Sequence, residues 1–218
     1  SFAVIYKATG IVNFAMGEMS MLTAYTTWSC GTAMGTGGIL TVLVAIVVGA
    51  LLGLLCERLI MRPMLGEPVL SVVLVTVGLA VVLRSIVTII WGASPHKFEV
   101  VGADNIVSLG GIGMRASQLG VLAVLVLAVA ALWFFLRPRR FGVAMRAVAA
   151  DEKTARLMGV STARVQAVAW AAASALAGLT GALFAVIYGL TPAVFELGLK
   201  AFPATVLGGF DSVLGSGA

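Results

Sequence analysis

Apolar blocks of about 20 residues recur along this chain, the length a helix needs to cross about 30 Å of hydrocarbon at 1.5 Å per residue. The candidate crossings are Ile11–Trp28, Ile39–Ile60, Val69–Trp91, Ser117–Leu136 and Val165–Tyr188, with a glycine-rich segment, Ala201–Ala218, as a sixth. Turn chemistry marks the breaks: Gly35-Thr36-Gly37-Gly38, Arg62-Pro63, Gly66-Glu67-Pro68, Gly92–Arg115, Arg137-Pro138 and Thr191-Pro192. A water-soluble domain is excluded, because only 11% of the 218 residues are charged against about 25% in soluble proteins. The expected fold is all-α: one polytopic transmembrane helical bundle over residues 1–218, with about six helical segments. No secretory signal peptide is visible. The first residue already lies in an apolar stretch and the last residues carry no helix stop signal, so both ends are expected to be clipped.

Basic residues set the expected orientation. Seven of the fourteen Lys and Arg fall in the loop 137–164: Arg137, Arg139, Arg140, Arg146, Lys153, Arg156 and Arg164. That loop is expected to be cytoplasmic, which places Arg62–Pro68 inside and the loop 92–116 on the periplasmic side. The inner loops and their flanks then hold nine basic residues and the outer loops three, Lys97, Arg115 and Lys200. Trp28 and Trp91 fall at predicted outer ends and Trp133 and Trp170 near inner ends, as interfacial belts do. Weak alternation around Gly110-Gly111 predicts a short hairpin capping the outer face. Cys30 and Cys56 fall near opposite faces, beyond the roughly 7 Å Cα separation that a disulfide tolerates. They read as packing residues.

Lipid tails are as apolar as leucine, so helices associate through close backbone approach rather than burial. Small residues recur every fourth position as Ala45-Gly49-Gly53, Ser174-Gly178-Ala182 and Ala177-Gly181-Ala185. Those faces are expected inside the bundle or at a subunit contact.

The basic loop is long for a turn. Its alanine-rich run Val143–Met158 predicts a short helix, with Glu152 and Arg156 in the favourable i,i+4 order. Gly159 suits the position just past that helix, and Ser161 or Thr162 the N-cap of the next span. Ala147, Ala150 and Ala155, if exposed, would let a partner's groove approach the backbone. The other reading of the same residues is a helix lying among lipid headgroups, held by its arginines.

The segment from Arg146 to Val160 resembles the loop of branched-chain amino-acid (Liv-type) ABC permeases, a variant of the importer EAA motif. Asn13-Phe14-Ala15-Met16-Gly17-Glu18 is similar to that family's Asn-Phe-Ala-x-Gly-Glu signature, with Met16 where histidine is common. Lys200-Ala201-Phe202-Pro203-Ala204-Thr205-Val206-Leu207-Gly208-Gly209-Phe210-Asp211-Ser212 resembles the segment before the family's last spans. The resemblance implies a permease subunit of a bacterial inner-membrane importer, whose short helix docks in a cytoplasmic ATPase subunit. Arg146, Ala147, Ala150, Asp151, Glu152, Ala155, Arg156 and Gly159 would form that coupling element. Further expected partners are a second permease, in a homo- or heterodimer, a periplasmic solute-binding protein and membrane lipid, with no nucleic acid.

Catalysis is hard to build from this inventory. The single histidine, His96, reads as a solvated loop residue, and no metal site is expected. The lysines follow Tyr6, His96, Glu152 and Leu199, so no Walker A exists and ATP would be bound by the partner. No cofactor is expected in this chain. Asp151 and Glu152 point about 100° apart on a helix and are expected to pair with basic residues. Charged residues inside spans face a cavity or one another, which singles out Asn13, Glu18 and Arg84. An ion pair, contact with a zwitterionic amino acid, and an Arg84 that snorkels outward are the open readings. Urea or short amides are a second substrate class. An ion-coupled secondary transporter using Glu18 is a second mechanism.

Overall fold

The structure, a computed structural model, describes residues 2–34, 38–64, 66–97, 106–109, 112–136 and 140–208. Its helices are α1 (Phe2–Thr9), α2 (Met16–Met34), α3 (Gly38–Cys56), α4 (Val69–Trp91), α5 (Ala116–Leu136), α6 (Arg140–Ala150), α7 (Glu152–Leu157), α8 (Thr162–Tyr188) and α9 (Glu196–Gly208). A hairpin of β1 (Ile106–Leu109) and β2 (Ile112–Arg115) precedes α5, paired antiparallel with Leu109 opposite Ile112. The fold is an all-α membrane bundle, and the hairpin stands where the alternation predicted it.

Glycine decides what touches what. A Cβ on Gly49 would sit 2.6 Å from the Ser174 carbonyl oxygen, and one on Gly53 2.5 Å from that of Trp170. Only backbone on backbone fits there, so α3 and α8 close to direct contact. On the other side of α8, Gly178 accommodates Thr23 and Gly181 accommodates Ser20 of α2. Ser20 Oγ donates to the Ala177 carbonyl at 2.8 Å. All three predicted small-residue faces are buried in the bundle.

Gly38–Met64, Val69–Trp91 and Thr162–Tyr188 are long and apolar enough to cross a bilayer, and α5 carries a further apolar run over Ser117–Leu132. Leu43, Val47, Leu51 and Leu55 of α3, with Leu70, Leu74, Val77, Val81 and Ile89 of α4, are exposed, the faces a lipid tail would meet. Ends alternate as expected. Met61, Met145 and Val165 share a core cluster with α1, whereas Trp91 and Trp28 pack with Leu190 in another.

Several expectations need correction. The first crossing does not run through Ile11–Trp28. Gly10 has φ +69°, and the Asn13 side-chain oxygen accepts from the Ala15 N–H at 2.9 Å, so a non-helical turn separates α1 from α2. The sixth segment starts earlier, at Glu196, and residues 209–218 lie outside the described residues. Trp170 is buried in the core and belongs to no interfacial belt, because Gly53 lets α3 close over it. His96 is not a solvated loop residue. It bridges to Leu190 through two backbone hydrogen bonds of 2.8 Å, and its ring centroid lies 4.5 Å from that of Trp28.

Candidate functional site

Glu18 stands in the first turn of α2, where the unpaired N–H groups of the helix end favour a carboxylate. The Asn13 turn creates that helix end. Across the bundle, Arg84 of α4 brings Nη2 to 2.5 Å from Glu18 Oε1, and its guanidinium carbon lies 3.6 Å above the Phe195 ring centroid. The carboxylate is buried, with 6% of its side chain exposed; the arginine is 46% exposed. Gly17 and Gly198 meet backbone to backbone beside the pair, and a Cβ on either would strike the other segment. Each charge is therefore neutralised, and the guanidinium keeps one open face.

Asn13 does not join this pair. Its hydrogen bonds among the described residues run to Ala15 and, weakly, to the sulfurs of Met16 and Met19. It lines a cavity of about 230 Å³ together with Thr76, Gln166, Trp170 and Glu67. Thr76 Oγ1 accepts from the Phe14 N–H at 3.3 Å, tying the turn to α4. Gln166 is buried.

At the basic end, the predicted single helix Val143–Met158 is two, α6 and α7, broken at Asp151. The Asp151 carboxylate accepts from the Thr154 N–H at 3.2 Å and the Thr154 hydroxyl at 2.5 Å, an N-cap that starts α7. Gly159 ends it, with φ +84°, its N–H donating to Arg156 O and the Val160 N–H to Ala155 O. This crossed pair is a Schellman closure. Ser161 takes the N-cap position of α8 without a side-chain cap, and Thr162 Oγ1 instead accepts from Arg156 at 3.2 Å. The Glu152 side chain lies outside the described residues, so the expected pair with Arg156 does too.

Burial reverses part of the predicted outward face. Ala155 is buried and Ala147 half-buried, because Met145, Val148 and Ala155 turn toward α1 and α8. Val143, Arg146, Ala149 and Ala150 face out. Leu157 and Met158, at 88% and 80% exposure, form an apolar tip that helix periodicity did not single out. The same reasoning missed Phe195, which follows Pro192 in a short 3₁₀ turn with no periodic signal. Thr76 and Gln166 did carry a signal, as polar residues inside apolar runs.

Buried small-residue contacts, a charge pair within the bundle and a two-helix elbow between spans define a polytopic membrane bundle. The chain belongs to the branched-chain amino acid transport system / permease component family, whose model matches residues 1–218. It is 34% identical to the high-affinity branched-chain amino acid transport system permease protein LivH of Escherichia coli, over 99% of this chain and 74% of that protein. The LivH of Salmonella typhimurium is 33% identical with the same coverage, and BraD of Pseudomonas aeruginosa 28% identical over 99% of this chain and 75% of its own. No solved structure matches the chain.

Proposed function

We propose that this chain is the membrane-spanning permease subunit of an ATP-driven importer for branched-chain amino acids, lying in a bacterial inner membrane. The loop 137–164 faces the cytoplasm, where a separate ATPase binds the nucleotide, and the loop 92–116 faces the periplasm and a solute-binding protein. A second permease completes the pathway. The observation that carries the reading is the α6–α7 elbow. Its inward side is packed into the bundle through Met145, Val148 and Ala155, while Leu157, Met158 and Ala150 are bare. An element anchored on one side, with an apolar tip and exposed small and charged side chains on the other, is fitted to pass movement between a docked partner and the spans. Family membership and the names of the relatives support the substrate class.

In this reading Glu18 and Arg84 exchange their mutual contact for the two charges of a zwitterion, ammonium to Glu18 and carboxylate to Arg84, and Asn13 holds the turn that positions α2. Vesicles carrying the permease, its ATPase and the binding protein should take up leucine only with ATP. Leu157→Asp with Met158→Asp should lower co-purified ATPase about tenfold or more, the effect of losing an apolar anchor. Uptake driven by an ion gradient without ATP would overturn the proposal.

A further inference from the structure

At the basic end, α3 and α8 separate after their closest approach at Gly49 and Gly53. The wedge between them is a cavity of about 230 Å³ lined by Leu54, Glu57, Arg58, Arg62, Arg164 and the small residues Ala163 and Ala167. The chain builds this wedge locally. Over Glu57–Met61 the helix widens into a π turn, with the Arg62 N–H donating to the Glu57 carbonyl. Arg58 and Arg62, four apart along the helix, stand on one face. Arg164, near the start of α8, completes a set of three guanidiniums. Arg58 and Arg62 stand near enough to Glu57 for their charge to act on its carboxylate, but neither they nor Arg164 forms an ion pair with it.

Glu57 makes the wedge more than a basic patch. It is 4% exposed, it lines the cavity, and its Oε1 has no hydrogen-bond partner. A buried carboxylate oxygen without a donor is costly, and the arginines beside it offer it no ion pair. The site thus presents donors for a phosphate and one acceptor for a donor-bearing group next to it. Leu51, Leu55 and Leu59 lie exposed along the same helix, where acyl chains would run.

We propose that this wedge binds a phospholipid headgroup, its phosphate held by Arg58, Arg62 and Arg164 and a hydrogen-bond donor beyond the phosphate held by Glu57. Guanidinium forks match phosphate oxygens in pairs, and basic pockets between spans are where lipid headgroups lodge. The acceptor at Glu57 sets the specificity. Ethanolamine and glycerol headgroups carry N–H or O–H donors, whereas choline carries none.

The full chain, purified in detergent, is titrated with phosphatidylethanolamine, phosphatidylglycerol and phosphatidylcholine, and bound lipid is counted by native mass spectrometry. The first two should be retained and phosphatidylcholine lost. Arg58→Gln with Arg164→Gln should reduce the retained lipid about tenfold or more, as loss of charged hydrogen bonds does. Glu57→Gln should narrow the preference over choline while leaving phosphate retention in place. Equal retention of phosphatidylcholine by the native chain would overturn the role of Glu57. Unchanged retention in the arginine variants would overturn the site. Inorganic phosphate displacing nothing supports a lipid occupant, and inorganic phosphate binding without any lipid retention would overturn it. Arg58→Lys with Arg164→Lys, which keeps the charge, guards against misfolding and should bind more lipid than the glutamine pair.

Discussion

Helices α2 and α4 each carry one half of the Glu18–Arg84 pair, and their surroundings are opposite. Along α2, Met19, Ser20, Met21, Thr23, Ala24, Tyr25 and Thr27 are all buried by neighbouring helices. Along α4, Leu70, Leu74, Val77, Val81, Ile86, Ile89 and Ile90 are exposed, and burial is confined to a stripe of Val72, Thr76, Leu79, Ala80, Leu83 and Val87. The central helix is the polar one. Inside a bilayer, a helix wrapped by other helices meets no lipid and can carry hydroxyls that bond back to its own carbonyls, as Thr23 does to Met19 at 2.8 Å and Thr26 to Leu22 at 2.9 Å. The exposed Ser85 and Thr88 of α4 bond back in the same way, to Val81 at 2.9 Å and Arg84 at 3.0 Å, but most of that exposed face is hydrocarbon. Apolarity therefore reports contact with lipid more than it reports position in the bundle.

The largest test of that contrast is steric. Gly181→Leu would drive a side chain into Ser20 where α2 meets α8, and should cost more than about 3 kcal/mol, the upper range of overpacking. Gly78 on α4 has open space around it, so Gly78→Ala should leave stability unchanged or raise it by up to about 1 kcal/mol, the difference in helix propensity. Thermal unfolding in detergent compares the two. Similar losses would mean that α4 is as enclosed as α2.

The charge pair gives the next effect. Arg84→Met strands a buried carboxylate and should cost about 3–5 kcal/mol, as breaking a buried pair does. Glu18→Gln strands a guanidinium that is half exposed and still covered by Phe195, so it should cost less. The double variant should cost less than the sum, read by a double-mutant cycle in the same unfolding assay. Additive losses would show that the two side chains do not interact.

The smallest effect separates two hydroxyls on α2. Ser20→Ala removes a hydrogen bond to α8 and should cost about 0.6 kcal/mol, the mean for such bonds in membranes. Thr27 Oγ1 is buried with no partner among the described residues, so Thr27→Val should be neutral or stabilising by up to about 1 kcal/mol. Chemical unfolding resolves the sign, and a clear loss for Thr27→Val would reveal a partner for that hydroxyl.

Lipid-facing helices were legible because α3 and α4 are apolar over most of their length, and the small-residue faces because glycine spacing maps directly onto backbone contact. The Glu18–Arg84 pair is one of three arrangements the sequence allows, since lone charges in apolar runs need partners but do not name them. Less visible was whatever depends on a local turn. Asn13 turns the chain into α2 by accepting from the N–H two residues ahead, and Asp151 starts α7 by accepting from the N–H three residues ahead; both side chains looked like site residues and serve first as backbone punctuation. Ala155 looked outward because its small size gave no sign of which face packs; it lies seven residues, about two helical turns, after Val148, and both are buried in the core.

Where Gly17 rests on Gly198, neither segment has a knob to set in the other's groove. That seam is smooth, like a bearing between two rods, and the ring of Phe195 over the guanidinium acts as its latch. Displacement of α9 along α2 would carry the Phe195 ring off Arg84, so the same small slip would unlock the seam and bare a positive charge.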